Sequence, residues 1–194
     1  MACIKKIQIE DTIYEANTDF RIAIECNRIA NDETIGDVER ALGVICTIFG
    51  PSGLDNPDHY EKLLKWAKKW LSCGEEITNT KEKPDMDYIE DKKYIRSSFI
   101  YDYKYNPYDM ECLEWEDFFN DLNNLSNSEL GNCCVLNRVR NLRNFDLSEI
   151  KDSKERQKIA KAKEQVALKK YKKENNLTKE QEESMERLNE ILGL

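Results

Sequence analysis

The chain has 194 residues, of which 40% are apolar and 35% charged, and a formal net charge of −8. This is enough apolar material for one hydrophobic core. No apolar run approaches the roughly 18 to 20 residues of a membrane span, and the opening MACIKKIQIEDTIYEA lacks the apolar stretch of a signal peptide. A cytoplasmic protein with no membrane association is expected.

The seven cysteines are an odd number scattered through helical patterns, which predicts buried thiols rather than a disulfide framework. The adjacent Cys133 and Cys134 have neither CxxC spacing nor a nearby histidine, so no metal site is expected, and no motif calls for a cofactor.

In chain order, the alternation of Ile7, Ile9 and Ile13 about Glu10-Asp11, ending at Tyr14, predicts a short β-hairpin. Thr18 is placed to cap a first helix with Ile22, Cys26 and Ile29 along one face. A second helix begins near Thr34, shows Ile35, Val38, Leu42, Ile45 and Phe49 on one side, and stops at Gly50-Pro51. A third takes Asn56 as cap and Pro57 as its first residue. It buries Tyr60, Leu63, Leu64, Ala67, Trp70 and Leu71, and leaves through Gly74. The polar, charged EEITNTKEKP of residues 75–84 reads as a linker.

A fourth helix is predicted from about Asp85, with Ile95, Phe99 and Tyr103 one turn apart and an end before Asn106-Pro107. A fifth carries Trp115, Phe118, Phe119, Leu122 and Leu125 opposite Glu116, Asp117, Asn120 and Asp121. After a break at Ser126 to Ser128, a sixth carries Val135, Val139 and Leu142, with Arg138, Arg140 and Arg143 around it. Beyond Ser148 large apolar residues thin out to Ile159, Val166, Leu168 and Tyr171, which predicts an exposed or partly docked helix. Thr178 and Gln181 form a capping box for a last short helix with Met185, Leu188, Ile191 and Leu192.

The predicted fold is an all-α helical bundle in two halves, with an N-terminal β-hairpin and an extended charged C-terminal helical segment. Its divisions are 1–74, the linker 75–84, an aromatic-rich half over 85–147, and a charged tail over 148–194.

Catalytic material is thin. The single histidine, His59, reads as a surface group in the first turn of the third helix. No phosphate-cradling glycine loop is present, and GPSG at Gly50 to Gly53 is a helix stop. The chain is not expected to be an enzyme.

Charge and aromatic residues are distributed unevenly. Residues 138–173 hold 13 Lys and Arg against 5 Asp and Glu, a stripe that could neutralise phosphates. Residues 88–119 hold ten aromatic side chains, interleaved mainly with Asp and Glu, whereas stacking platforms for single strands sit in basic grooves. Phe99, Trp115, Phe118 and Phe119 read as core. Tyr101, Tyr103, Tyr105 and Tyr108 cannot all face one core, so some are expected at the surface, where tyrosine is a good protein-contact residue. A protein partner is favoured over nucleic acid.

The segments NTDFRIAI, DETIGDVERALGVICTIFG and KKWLSCGEE, followed by DYIEDKKYIRSSF, LEWEDFF and VLNRVRNLR in that order, resemble the tail assembly chaperone family of Gram-positive siphophages and their prophages. The resemblance spans roughly residues 10 to 170. It departs from the family at Glu114-Trp115-Glu116, where an aromatic pair is common, and the tail after Tyr171 has no counterpart. It implies a non-enzymatic protein that binds and protects the tape measure protein while the tail assembles and is not retained in the virion. The major tail protein and self-association are further candidate contacts. From their expected exposure and charge, Tyr101, Tyr108, Arg138, Arg140 and Arg143 are the candidate partner-binding residues. The alternatives are a small nucleic-acid-binding regulator of a mobile element, resting on the basic stripe, and a structural tail component.

Overall fold

A computed structural model describes residues 3–74, 84–127 and 133–170. The chain opens with a two-stranded antiparallel hairpin, β1 (Ile4–Ile9) and β2 (Thr12–Asn17), with Ile9 opposite Thr12 and Ile4 opposite Asn17. Seven α-helices follow: α1 (Phe20–Ala30), α2 (Asp37–Phe49), α3 (Tyr60–Leu71), α4 (Lys92–Tyr103), α5 (Trp115–Asn123), α6 (Val135–Asn144) and α7 (Ser153–Val166). The described chain is thus mostly helical with a short N-terminal hairpin, as its periodicities predict. The linker apart from Pro84, and the last helix expected from Thr178, lie outside the described residues.

Several expected boundaries move for identifiable reasons. Asp19, not Thr18, caps α1, its carboxylate accepting from the Arg21 amide at 2.9 Å. Thr18 is buried and instead donates its hydroxyl to the Cys3 carbonyl at 3.2 Å. In α2 the start is Gly36-Asp37 rather than Thr34, and Val38 is 71% exposed, so the buried face begins later, with Val44, Ile45, Ile48 and Phe49. Gly74, at φ +80°, occupies the left-handed exit that its sequence position predicts, and α2 stops at Gly50, at φ +67°, before Pro51 as expected. Helix α4 starts seven residues after Asp85, because the Asp87 side chain accepts from the amides of Ile89 and Glu90 and winds that stretch into a turn.

The buried side chains gather in two clusters. The first joins Ile9, Tyr14 and Ala16 of the hairpin to Cys26, Ile45, Ile48, Phe49, Leu63 and Ala67, and is largely aliphatic. The second joins Phe20 and Ala23 to Ile95, Phe99, Trp115, Phe118, Leu122 and Leu136, and is largely aromatic. Helix α1 therefore faces both, Cys26 towards one and Phe20 with Ala23 towards the other. Trp70 and Leu71 at the end of α3 also touch both, and the Trp115 indole donates to the Leu71 carbonyl at 3.0 Å.

Two expectations about reactive side chains are corrected. His59 is buried, not on the surface, at 4% exposure. Its Nδ1 shares a 2.8 Å hydrogen bond with the Tyr14 hydroxyl and its Nε2 lies 3.4 Å from Glu10, so the tautomer protonated on Nε2 satisfies both contacts. A disulfide joins Cys3 to Cys112, with Cα atoms 5.6 Å apart. Their separation of 109 residues leaves no local spacing by which the pair could be recognised.

Candidate partner-binding surface

The aromatic cluster is built round Phe118. Its ring stacks on Phe20 at 4.4 Å, on Phe99 at 5.3 Å and on Trp115 at 5.9 Å between centroids. Three of the four tyrosines at the end of α4 and in the loop after it close this stack rather than facing solvent. Tyr103 and Tyr105 meet Phe99 edge-on and give their hydroxyls to the carbonyl and carboxylate of Asp121. Tyr108 meets Phe20 edge-on at 5.4 Å, under the Lys92 ammonium at 4.6 Å. Its hydroxyl is buried with no hydrogen-bond partner among the described residues, and burial pushes it up to about 12. Only Tyr101, 64% exposed, is at the surface.

Polar side chains of α4 hold the neighbouring elements in place. Ser98, fully buried, accepts from the Leu136 amide at 3.0 Å and so satisfies one of the open donors at the start of α6. Asp102 accepts from both the amide and hydroxyl of Ser126, and Asn137 returns its amide to the carbonyls of Leu125 and Ser126.

The three arginines of α6 have different fates. Arg143 forms a two-pronged pair with the buried Asp91, at 2.6 and 2.7 Å, and also donates to the carbonyls of Asp85 and Val166 at 2.7 Å each. Burial pulls its proton affinity down, but the Asp91 carboxylate outweighs that and raises it. Arg140 pairs with Asp85 at 3.1 Å. Arg138 alone of the three is exposed. The expectation of exposure therefore holds for Tyr101 and Arg138. It is corrected for Tyr108, Arg140 and Arg143, because adjacent helices bring rings and carboxylates to them that no local pattern reveals.

A cleft of about 650 Å³ lies between α1 and the turn that precedes α4. Ile24, Met86, Tyr88 and Ile89 supply its apolar lining, while Arg28 and Asp87 are among the charged residues that border it. Ile89 is 53% exposed there. Sequence reasoning missed this cleft by running α4 back to Asp85; the Asp-x-x-x-Asp spacing of Asp87 and Asp91 was the available signal for a turn.

One convergence of metal-type donors exists among the described residues: Cys3, Asp19 and Cys112. The two sulfurs are bonded to each other, and both Asp19 oxygens receive Arg21, at 2.7 Å each. The set is engaged internally.

No helix among the described residues is long and apolar enough to cross a membrane. A family model described as Bacteriophage Gp15 protein matches residues 2–168. No curated protein and no solved structure matches the chain.

Proposed function

Since the chain belongs to the Bacteriophage Gp15 protein family, we propose that it is a phage tail assembly chaperone, holding helical segments of the tape measure protein while tail subunits polymerise. On this reading it works in the host cytoplasm, performs no catalysis and leaves before the virion is complete. The observation that carries the proposal is the α1 cleft, whose apolar lining between charged edges suits an amphipathic helix laid lengthwise. The ordered sequence resemblance to tail assembly chaperones supplies the partner.

Of the five candidate contacts, Tyr101 and Arg138 can meet a partner directly. Tyr108, Arg140 and Arg143 are engaged within the fold, by Phe20, Asp85 and Asp91. The engagement of Arg140 and Arg143 by carboxylates also weakens the nucleic-acid alternative, which needs their charge for phosphates.

The test is co-expression with the tape measure protein of the same phage or prophage followed by affinity purification. Ile89→Glu, at an exposed position, is expected to reduce recovery of the partner at least ~10-fold, the effect of losing about 1.4 kcal/mol of binding. Tyr101→Ala with Arg138→Ala should reduce it less, with helical circular dichroism unchanged throughout. Failure of the wild-type chain to retain the tape measure protein would overturn the proposal. Detection of the chain in purified particles would favour a structural tail component.

A further inference from the structure

The segments around Cys3, Thr18 and Leu113 meet in one seam. The Thr18 amide donates to the Cys3 carbonyl at 2.7 Å, the Phe20 amide to the Leu113 carbonyl at 2.9 Å, and the Trp115 amide to the Thr18 carbonyl at 2.9 Å. Asp19 and Glu114 pair as an isolated antiparallel bridge, and the Leu113 amide reaches the Asp19 carboxylate at 3.4 Å. Three stretches distant in sequence are thereby laid side by side, and the Cys3–Cys112 bond spans their outer end.

This bond differs from its surroundings in access. Cys3 is 3% exposed, whereas Cys112 is only partly buried. A small cavity of about 180 Å³, lined by Cys3, Asn17, Asp19, Arg21, Ile22 and Glu111, opens beside it. Cys112, the more exposed residue of the pair, is placed to react first, and Cys3 to resolve.

We propose that Cys3 and Cys112 form a thiol–disulfide exchange site that takes low-molecular-weight disulfides and sets how firmly the seam between hairpin, α1 and α5 is held. In the reduced chain, the Cys112 thiolate attacks one sulfur of the small disulfide and expels one thiolate. The Cys3 thiolate then attacks the Cys112 sulfur of the mixed disulfide and expels the second. The protein dithiol loses two electrons, the small disulfide gains them, and the two protons released by the cysteines pass to the departing thiolates. Closing the bond removes conformational freedom from a very long loop of the unfolded chain, and the gain in stability is read as firmer closure of the seam.

The full chain equilibrated in glutathione buffers, from fully reduced to fully oxidised, tests this. Alkylation and peptide mapping without reductant should show the Cys3–Cys112 link rising with the oxidised fraction. The Tm should rise by roughly 10 °C with it, together with slower hydrogen exchange at the amides of Thr18, Phe20 and Trp115. Cys112→Ala and, separately, Cys3→Ala should abolish the link and the shift. Should either variant fold poorly, comparing the wild-type chain in its two redox states decides alone. Equal alkylation of both cysteines in every buffer would overturn the proposal. So would a link that leaves Tm and exchange unchanged, or stoichiometric zinc binding that protects both thiols in the reduced chain.

Discussion

The two buried clusters achieve the same end by different chemistry. The cluster under the hairpin is mainly Ile, Val, Leu and Ala, closed at one side by Tyr14 and His59. The cluster between α4, α5 and α6 stacks Phe20, Phe99, Trp115 and Phe118, and surrounds them with buried polar groups: Ser98, Asn137 and the Asp91–Arg143 pair. Aliphatic packing is tolerant of detail, because volume and shape matter more than orientation. Rings that meet in stacks and edges, and ions taken from water, are not. The aromatic cluster should therefore respond more sharply to single changes.

The largest effect is expected at Phe118. Phe118→Ala removes the ring on which three others stack, and should cost about 3–5 kcal/mol in denaturant unfolding. A loss no greater than the removal of one methylene would mean that the aromatic cluster is as forgiving as its aliphatic neighbour. Comparable in size is Arg143→Ala, which leaves Asp91 buried and unpaired at a cost of about 3–5 kcal/mol. Arg140→Ala, three residues earlier on the same helix, removes a half-exposed pair and should cost only about 0–1 kcal/mol. Equal losses at the two positions would deny that burial distinguishes them.

The smallest predicted effect concerns acid. Burial raises the Asp19 carboxyl, but Arg21 and the amides of Arg21 and Leu113 outweigh this and hold it below its ordinary value of 3.8. A depressed folded-state value contributes stability that is present above the unfolded value and is lost as pH falls through the folded one. Thermal unfolding should thus lose ground below about pH 4, and Asp19→Asn should flatten that loss. An unchanged acid profile in the variant would separate the seam from the titration of Asp19.

The elements that the sequence revealed are those whose burial is one-sided. Trp115, Phe118, Leu122 and Leu125 lie on one face of α5 and its exit, and all four are buried. Gly50 and Gly74 marked helix ends because few other residues adopt their backbone angles. What escaped was set by partners remote in the chain. His59 looked like a surface residue until Tyr14 and Glu10 arrived from the hairpin. Tyr108 and Arg143 looked exposed because periodicity cannot register a ring or a carboxylate contributed by another helix. The two-sided burial of α1 was hidden for a related reason: its apolar residues wrap two faces, and only one was read as a stripe.

That double burial of α1 has a consequence for how the molecule can be divided. A chain divided between Gly74 and Pro84 would carry the two sides of one core on separate pieces. Phe20 and Ala23, on the first piece, would still be covered by residues of the second. The two pieces should remain associated after such a cut, and neither should keep its native packing when separated. Helix α1 behaves as a shared wall whose removal takes both rooms with it.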